Sequence, residues 1–578
     1  DVRRHYQEFF KYILVDEYQD TNVAQHLIVS QLTGDDMKLC VVGDDAQSIY
    51  SFRGANIGNI INLEKRYPGL RIFKLERNYR STQNIVNAAG SLISKNTNQL
   101  KKEVYSENEV GAPVEVIRTY SDIEEAYMVS NLISGSKLTC HDSLDDYAIL
   151  YRTNAQSRVL EEALRKRNIN YRIYGGLSFY QRKEIKDVIA YFRIAINPDD
   201  DEALRRIINY PARGIGETTM KKIQACASEH ASSLWGIISD ITKYDVGING
   251  GTQKKLAAFA DLIRLFIADN EKSNAFELGQ LIYNRTGILT ALAHDRTPES
   301  ISKHENLTEL LSGLKDFVDS RLEEETDADI SMRAFLSDVM LATDQDQNDD
   351  NEEPRVTLMT VHAAKGLEFK HIYVVGVEED LFPSSMSMDS LAQIEEERRL
   401  LYVAITRAKE TCVILFAGSR FRNGQTTLTR PSRFLSEIDP RYLKLVSSVN
   451  IDQGASEKFI NPAANYKTYN TARRTNPADS FRSGRFSDYG SPSSRPDYGK
   501  TAVNSLHRMD TTGVGAAIKP MHTPDELAIG MRIRHPKLGE GEITMMGNVQ
   551  GEPSVTVDFG VTGIKKLLLK FAKFEIIG

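Results

Sequence analysis

The sequence predicts an α/β fold with two parallel-sheet domains, an all-helical subdomain inserted into the second, and a small C-terminal β-barrel. Three observations carry this. Short runs rich in β-branched residues alternate with helical stretches before residue 80, between 140 and 175 and after 355, as buried parallel strands do. The region between the last two groups has apolar residues three and four apart, the spacing of amphipathic helices. Finally, the last fifty or so positions hold four short strand-like runs divided by Gly and Pro turns.

In chain order the expected strands are Tyr12–Val15, Leu39–Val42, Arg71–Leu75, Tyr147–Tyr151, Val356–Val361, Ile372–Val377 and Cys412–Phe416. The expected insert helices include Glu184–Ile196, Glu202–Ile208 and Gln253–Ala268. The insert closes on Asp344–Glu353, where six carboxylates are too dispersed for a metal cage and read as a solvated linker. From 447 to 525 a Ser, Asn, Arg, Gly and Pro composition cannot bury enough apolar surface to fold, and a disordered tether is expected. Met531–His535, Glu542–Met546, Ser554–Phe559 and Gly563–Leu568 are the expected barrel strands.

At 578 residues the chain needs several cores. Its 41% hydrophobic and 26% charged composition is that of a globular protein, and no apolar run approaches a bilayer span. Four scattered cysteines, Cys40, Cys140, Cys226 and Cys412, form no CxxC pair and fit reduced cytoplasmic thiols. A net charge of -7 does not exclude nucleic acid, because binding depends on where the basic groups cluster. The start DVRRHYQEFFKYILVDE has no methionine and no signal-peptide pattern, and is read as a truncated beginning.

The first strand runs into Asp16-Glu17-Tyr18-Gln19-Asp20. Two carboxylates at the C-terminal end of a strand lie where open α/β sheets bind ligands. In a phosphate-loop ATPase the first of such a pair helps hold Mg2+ and the second accepts a proton from attacking water, which assigns Asp16 and Glu17. An Asp-Glu doublet alone is also a common surface pair. The second strand ends in Gly43-Asp44-Asp45-Ala46-Gln47-Ser48-Ile49-Tyr50-Ser51-Phe52-Arg53-Gly54. The Gln47 amide can donate to a γ-phosphate and accept from water, and Phe52 with Arg53 offers a stacking face and a cation for single-stranded DNA. A turn with a core Phe52 and a surface Arg53 is the plainer alternative.

These strings, with Leu75-Glu76-Arg77-Asn78-Tyr79-Arg80-Ser81-Thr82, resemble motifs II, III and IV of the UvrD/PcrA/Rep branch of superfamily 1 DNA helicases. Val361-His362-Ala363-Ala364-Lys365-Gly366-Leu367-Glu368-Phe369 resembles motif V, and Glu395 through Ala408, with Arg398, Arg399 and Arg407, resembles motif VI. The resemblance implies RecA-like motor domains, the first incomplete: 1–78 and 79–178, then the insert 179–353, the second motor segment 354–446, the linker 447–525 and a Tudor-like barrel 526–578. It implies ATP and Mg2+ as cofactors, with Arg80 and Arg407 as arginine fingers, Glu368 on the ribose, Tyr79 on the adenine, Gly366 among the nucleotide-binding residues, and His362 with Phe52 on the DNA track. Pro211 to Thr219 resembles the family's glycine turn that grips duplex DNA, with Gly214, Gly216 and Thr218 as contacts; a plain helix cap is the other reading. The barrel's Ile533 to Gly541 run resembles a Tudor-like module, implying RNA polymerase as a partner, while Lys565, Lys566, Lys570 and Lys573 are equally a solvated edge.

The resemblance further implies an ATP-dependent 3'-to-5' helicase acting in DNA repair or replication restart on single strands and duplex junctions, with no membrane role. One departure stands out: no Gly-x-x-x-x-Gly-Lys-Ser/Thr loop occurs, and Gly250-Gly251-Thr252-Gln253-Lys254-Lys255 lacks its spacing. The chain alone is therefore expected to be inactive, and a non-catalytic DNA- or RNA polymerase-binding fragment is the alternative. A helicase-nuclease of the AddA/RecB kind is disfavoured by the tether and barrel.

Overall fold

The computed structural model describes residues 2–33, 38–293, 295, 297–324, 328–346, 353–422, 425–447, 530–535, 539–549, 552–559, 564–568 and 575–576. The chain divides into two units, Asp1–Arg473 and Arg474–Gly578. The tether and half of the acidic linker fall outside the described residues, as do Lys570 and Lys573.

In the first unit, strands Tyr12–Val15 and Lys38–Val41 pair in parallel, Tyr12 opposite Lys38 and Val15 opposite Val41. Parallel pairing needs a crossover, and helix Val23–Leu32 supplies it, opened by a capping box between Asn22 and Gln25. The expected strand at Arg71–Leu75 does not form. Ile72, Phe73 and Leu75 are exposed there, and a strand exists only where a neighbour takes its backbone groups, which none of the described residues does.

A larger sheet runs in the order Leu443–Ser447, Val114–Ser121, Ala408–Arg422, Phe369–Val374, Tyr147–Tyr151, Val356–Thr360 and Tyr171–Ile173, with Gln425–Leu428 hanging antiparallel on Ala408–Arg422. All seven ordered strands are parallel to their neighbours. Successive side chains of a strand point to opposite faces, and the core divides accordingly. Ala148, Leu150, Ile372, Val374 and Ile414 pack with Ile85, Leu92 and Leu401 on one face. Tyr147, Ile149, Tyr151, Tyr373 and Leu415 pack with Val129, Ile133, Leu160 and Leu164 on the other. Burial on both faces explains the uninterrupted apolar reading of Tyr147–Tyr151. Val114–Ser121 is not anticipated, because Glu115 and Arg118 interrupt its apolar run, and Phe369–Val374 ends three residues before the expected limit.

Between residues 183 and 346 the described residues form helices with their own core, centred on Tyr191, Phe192, Phe259, Phe266 and Leu314. Helix Lys183–Ile196 begins one residue before the expected start, and Gly250–Asn270 extends the expected span at both ends. Helix Met332–Asp346 takes up the first part of the acidic stretch expected to be linker, its earlier turns packing Met332, Phe335 and Val339 on the insert core.

The second unit is a five-stranded antiparallel sheet in the order Ile564–Leu568, Glu552–Asp558, Gly539–Val549, Arg532–His535 and Glu575–Ile576, packed around Ile533, Ile543, Val555, Val557 and Phe559. Gly541 is required there, since a Cβ would lie 2.6 Å from Phe559 and 2.8 Å from the Asp558 carbonyl.

Candidate functional site

The first strand delivers Asp16 and Glu17 at its C-terminal end. Glu17 is left-handed, with φ 50 and ψ 40, a conformation costing a non-glycine residue about 1–3 kcal/mol and persisting only where neighbours enforce it. Three of them do. The Asp16 carboxylate accepts from the Glu17 N–H at 2.8 Å, the Tyr18 N–H donates to Val42 O at 3.0 Å, and the Gln19 amide donates to Glu17 Oε2 at 2.6 Å. Buried Gln19 also accepts from the Asp44 N–H at 3.0 Å, locking the two strand-end turns together. Gly43 makes this possible, because a Cβ there would sit 2.6 Å from Gln19 Oε1.

In the second turn Asp44 caps Ala46 and accepts from the Gln47 amide at 2.8 Å. Lys102 pairs with Asp44 and Asp45, and these two carboxylates raise its pKa despite burial. Lys365, 7% exposed, reaches from the turn after Val356–Thr360 and pairs with Asp20, stands 3.4 Å from Glu17 Oε2, and donates to Gln47 O at 2.8 Å. Burial raises the pKa of Asp20, whose Oδ1 has no hydrogen-bond partner.

The second sheet contributes the arginines. Arg80 Nε pairs with Glu368 at 2.6 Å, and Lys409 reaches the other Glu368 oxygen at 2.9 Å. Hydrogen bonds from Lys409 and Arg80 hold the Glu368 carboxyl down at about 2. Arg407 is buried against carbonyls, donating to Val403 O at 3.1 Å and Leu367 O at 3.3 Å, with no carboxylate partner among the described residues. Burial, then Arg80 beside it, lowers its pKa to about 10. A buried guanidinium without an anion is costly, and it favours an anionic ligand. Tyr79 is exposed, its ring covered on one side by Arg77 at 4.6 Å. Gly366 has φ +87, a conformation that glycine supplies, and nothing described would obstruct a Cβ there.

An aromatic run joins the two sheets. Phe52, 52% exposed, meets His362 edge-on at 5.3 Å, and Tyr50 lies 6.0 Å from Phe52 and 6.3 Å from His362. Arg53 sits over both Tyr50 and Phe52. The Tyr50 hydroxyl donates to His362 O at 3.0 Å, and the Ser51 N–H donates to Glu396 at 3.0 Å. Burial, then Arg152 and Arg53, pushes the His362 imidazole down to about 3, so the ring is neutral at physiological pH. Exposed Phe52 is thus no core residue.

In the insert, Gly214 has φ +69 and Gly216 caps helix Glu217–Glu229 without a side-chain bond, leaving Gly214, Gly216 and Thr218 exposed. Arg213 shapes this turn by donating to the carbonyls of Ile207 and Tyr210, and Lys255 approaches Gly214 closely enough that a Cβ would fall 2.6 Å from its Nζ. No hydrogen bond or ion pair between described residues links this turn to Glu17 or Arg407.

Among the described residues no three His, Cys, Asp or Glu side chains cluster as a metal cage. A magnesium ion bound mainly through phosphates and waters needs only one or two carboxylates, and exposed Asp16, with one oxygen on the Glu17 amide, fits that role. Lys365, Lys102, Tyr50 and Arg152, which pairs with Glu397 at 2.7 Å, also belong to the site, though no sequence pattern marks them individually. Lys365 and Tyr50 stood inside recognised strings, but neither residue type singles out a cross-sheet contact.

A large parallel sheet, a second sheet fragment ending in paired carboxylates and a bridging aromatic run are consistent with RecA-like helicase domains. Residues 73–419 match the UvrD-like helicase C-terminal domain and residues 1–68 the UvrD/REP helicase N-terminal domain, so the chain belongs to the UvrD-like helicase family. It is 40% identical over 467 residues to the ATP-dependent DNA helicase PcrA of Bacillus subtilis, covering 80% of this chain and 62% of that protein. It is 36% identical to the PcrA of Leuconostoc citreum over 100% of this chain and 72% of the relative, and 34% identical to DNA helicase II of Escherichia coli over the same shares. The chain thus spans between 62% and 72% of the length of these relatives. No helix among the described residues is long and apolar enough to cross a membrane.

Proposed function

We propose that this chain forms most of an ATP-dependent DNA helicase motor that moves 3'-to-5' along single-stranded DNA and opens duplexes, in DNA repair or replication restart. The observation that carries this reading is physical continuity. Lys365 touches Glu17, Asp20 and Gln47 and lies over the Tyr50 ring, which is bonded to His362 beside exposed Phe52. A change at the carboxylates therefore reaches the aromatic run through direct contacts.

In this reading Glu17 accepts the proton of a water that attacks the γ-phosphorus, forming the new P–O bond while the bond to the ADP oxygen breaks. Gln47 turns from Asp44 to sense the γ-phosphate, and Arg80 and Arg407 take up the charge that spreads over the transferring group. Tyr79 stacks on the adenine, Glu368 contacts the ribose, and Gly366 belongs to the nucleotide-binding turn. Asp16 would hold Mg2+, which supplies charge neutralisation to the phosphates when bound. Phe52, Arg53 and His362 form the single-strand track, and exposed Gly214, Gly216 and Thr218 offer backbone amides and a hydroxyl to duplex phosphates. The five-stranded sheet of the second unit is read as a Tudor-like module with RNA polymerase as its partner.

The 578 residues contain no Gly-x-x-x-x-Gly-Lys-Ser/Thr loop, and these residues alone are not expected to turn over ATP. That absence favours a second reading, a DNA- or polymerase-binding fragment. The test compares Glu17→Gln with wild type in the polypeptide encoded by the complete reading frame: the variant keeps ATP affinity and loses turnover. Hydrolysis at the wild-type rate would remove Glu17 from the role of base.

A further inference from the structure

Glu17 is more than half exposed, yet its Oε2 already serves two donors, the Gln19 amide at 2.6 Å and the Lys365 ammonium at 3.4 Å. While both donors hold that oxygen the carboxylate is fixed in one orientation, with Oε1 alone open to a water molecule. Gln19 belongs to the same turn as Glu17. Lys365 does not: it comes from the turn joining Val356–Thr360 to Phe369–Val374, in the other sheet. Its side chain is 7% exposed, is anchored by Asp20 and Gln47 O, and lies 5.3 Å from the Tyr50 ring centre.

The same turn carries His362. Its carbonyl accepts from both the Tyr50 hydroxyl at 3.0 Å and the Lys365 N–H at 3.5 Å. Its ring abuts Phe52, the most exposed member of the aromatic run. A base stacking on Phe52 would therefore act one residue contact away from the peptide that positions Lys365.

We infer that Lys365 is a positioning residue that restrains the Glu17 carboxylate and releases it when single-stranded DNA shifts the Phe52, His362 and Tyr50 cluster. This rests on the helicase reading and adds to it a named restraint: the chain is held back without DNA, and the stimulating strand acts by lifting Lys365 from Glu17. Asp20 is suited to keep the ammonium after release, since its second oxygen is buried and lacks a partner.

The experiment measures ATP hydrolysis with and without oligothymidylate, using the polypeptide of the complete reading frame. Lys365→Ala raises the rate without DNA by at least about fivefold and brings the stimulation ratio toward unity, while Lys365→Arg restores both. An unchanged ratio, or equal loss of the basal and stimulated rates, overturns the inference. Should Lys365→Ala not fold, Tyr50→Phe decides: removing one hydroxyl lowers maximal stimulation at least about twofold, and undiminished stimulation overturns it. A wild type that DNA does not stimulate at all sinks the helicase reading itself, an outcome distinct from normal wild-type stimulation with an unaffected Lys365 variant.

Discussion

Arg158 gives the most quantitative prediction about how the helical insert is held. It lies on helix Ser157–Lys166 against the large sheet, 2% exposed, and reaches helix Pro298–Glu324 of the insert. Its Nε pairs with Glu309 at 2.7 Å, its Nη2 with Asp316 at 2.7 Å and its Nη1 with Glu162 at 3.2 Å. Gly313 lets the guanidinium lie along the helix, since a Cβ there would be 3.2 Å from Arg158 Cδ and Nε. Glycine within a helix costs about 1 kcal/mol relative to alanine, which this contact offsets. Arg158→Met strands Glu309 and Asp316 without a counter-charge, and breaking such a buried pair from one side costs about 3–5 kcal/mol. At about 2–4 °C per kcal/mol for a domain of this size, the insert should melt about 10 °C lower. The only tryptophan, Trp235, packs on the insert core, so its fluorescence reports this transition directly. Adding Glu309→Gln should recover part of the loss.

The sign with pH follows from Glu309, whose carboxyl burial lifts from 4.5 to about 7 against the pull of Arg158. A raised carboxyl contributes stability below about pH 4.5 that is lost as pH rises through about 7. Glu309→Gln alone should therefore match wild type near pH 4 and gain on it progressively up to pH 8. A melting point for Arg158→Met within about 2 °C of wild type, or a Glu309→Gln advantage greatest in acid, would refute the reasoning.

Two further substitutions probe the motor. Phe52→Ala removes the exposed stacking ring and should weaken oligothymidylate binding by about 1–3 kcal/mol, read by fluorescence anisotropy; unchanged affinity removes Phe52 from the track. Arg407→Met should lower turnover about 1,000-fold or more without lowering the melting point, because Arg407 has no carboxylate partner to strand; a large loss of stability would show that its charge serves the fold instead.

How much of this was legible in the sequence depends on what each feature requires. Tyr147–Tyr151 announces itself because both its faces are buried, and the insert because its helices repeat apolar residues toward one core. Arg71–Leu75 has a strand's composition, but composition cannot say whether a neighbour is present to pair with it. Val114–Ser121 was hidden by Glu115 and Arg118, although the strand pairs on both sides. At the site, Asp16, Glu17, Gln47, Arg80 and Arg407 were picked from ordered strings. Lys365, Lys102 and Arg158 were not, because each gains its meaning from partners tens to hundreds of residues away: Asp20 for Lys365, Asp44 for Lys102, Glu309 for Arg158. Motif strings report residue identity along the chain, and long-range ion pairs leave no local trace in it.

The most direct test of the central claim is strand separation by the polypeptide of the complete reading frame on partial duplexes bearing either a 3' or a 5' single-stranded tail, with and without ATP. A 3'-to-5' motor separates the 3'-tailed duplex with ATP, does little to the 5'-tailed one, and as the Glu17→Gln variant separates neither. Tight binding to both substrates with no ATP-dependent separation of either would contradict the motor and leave the binding fragment.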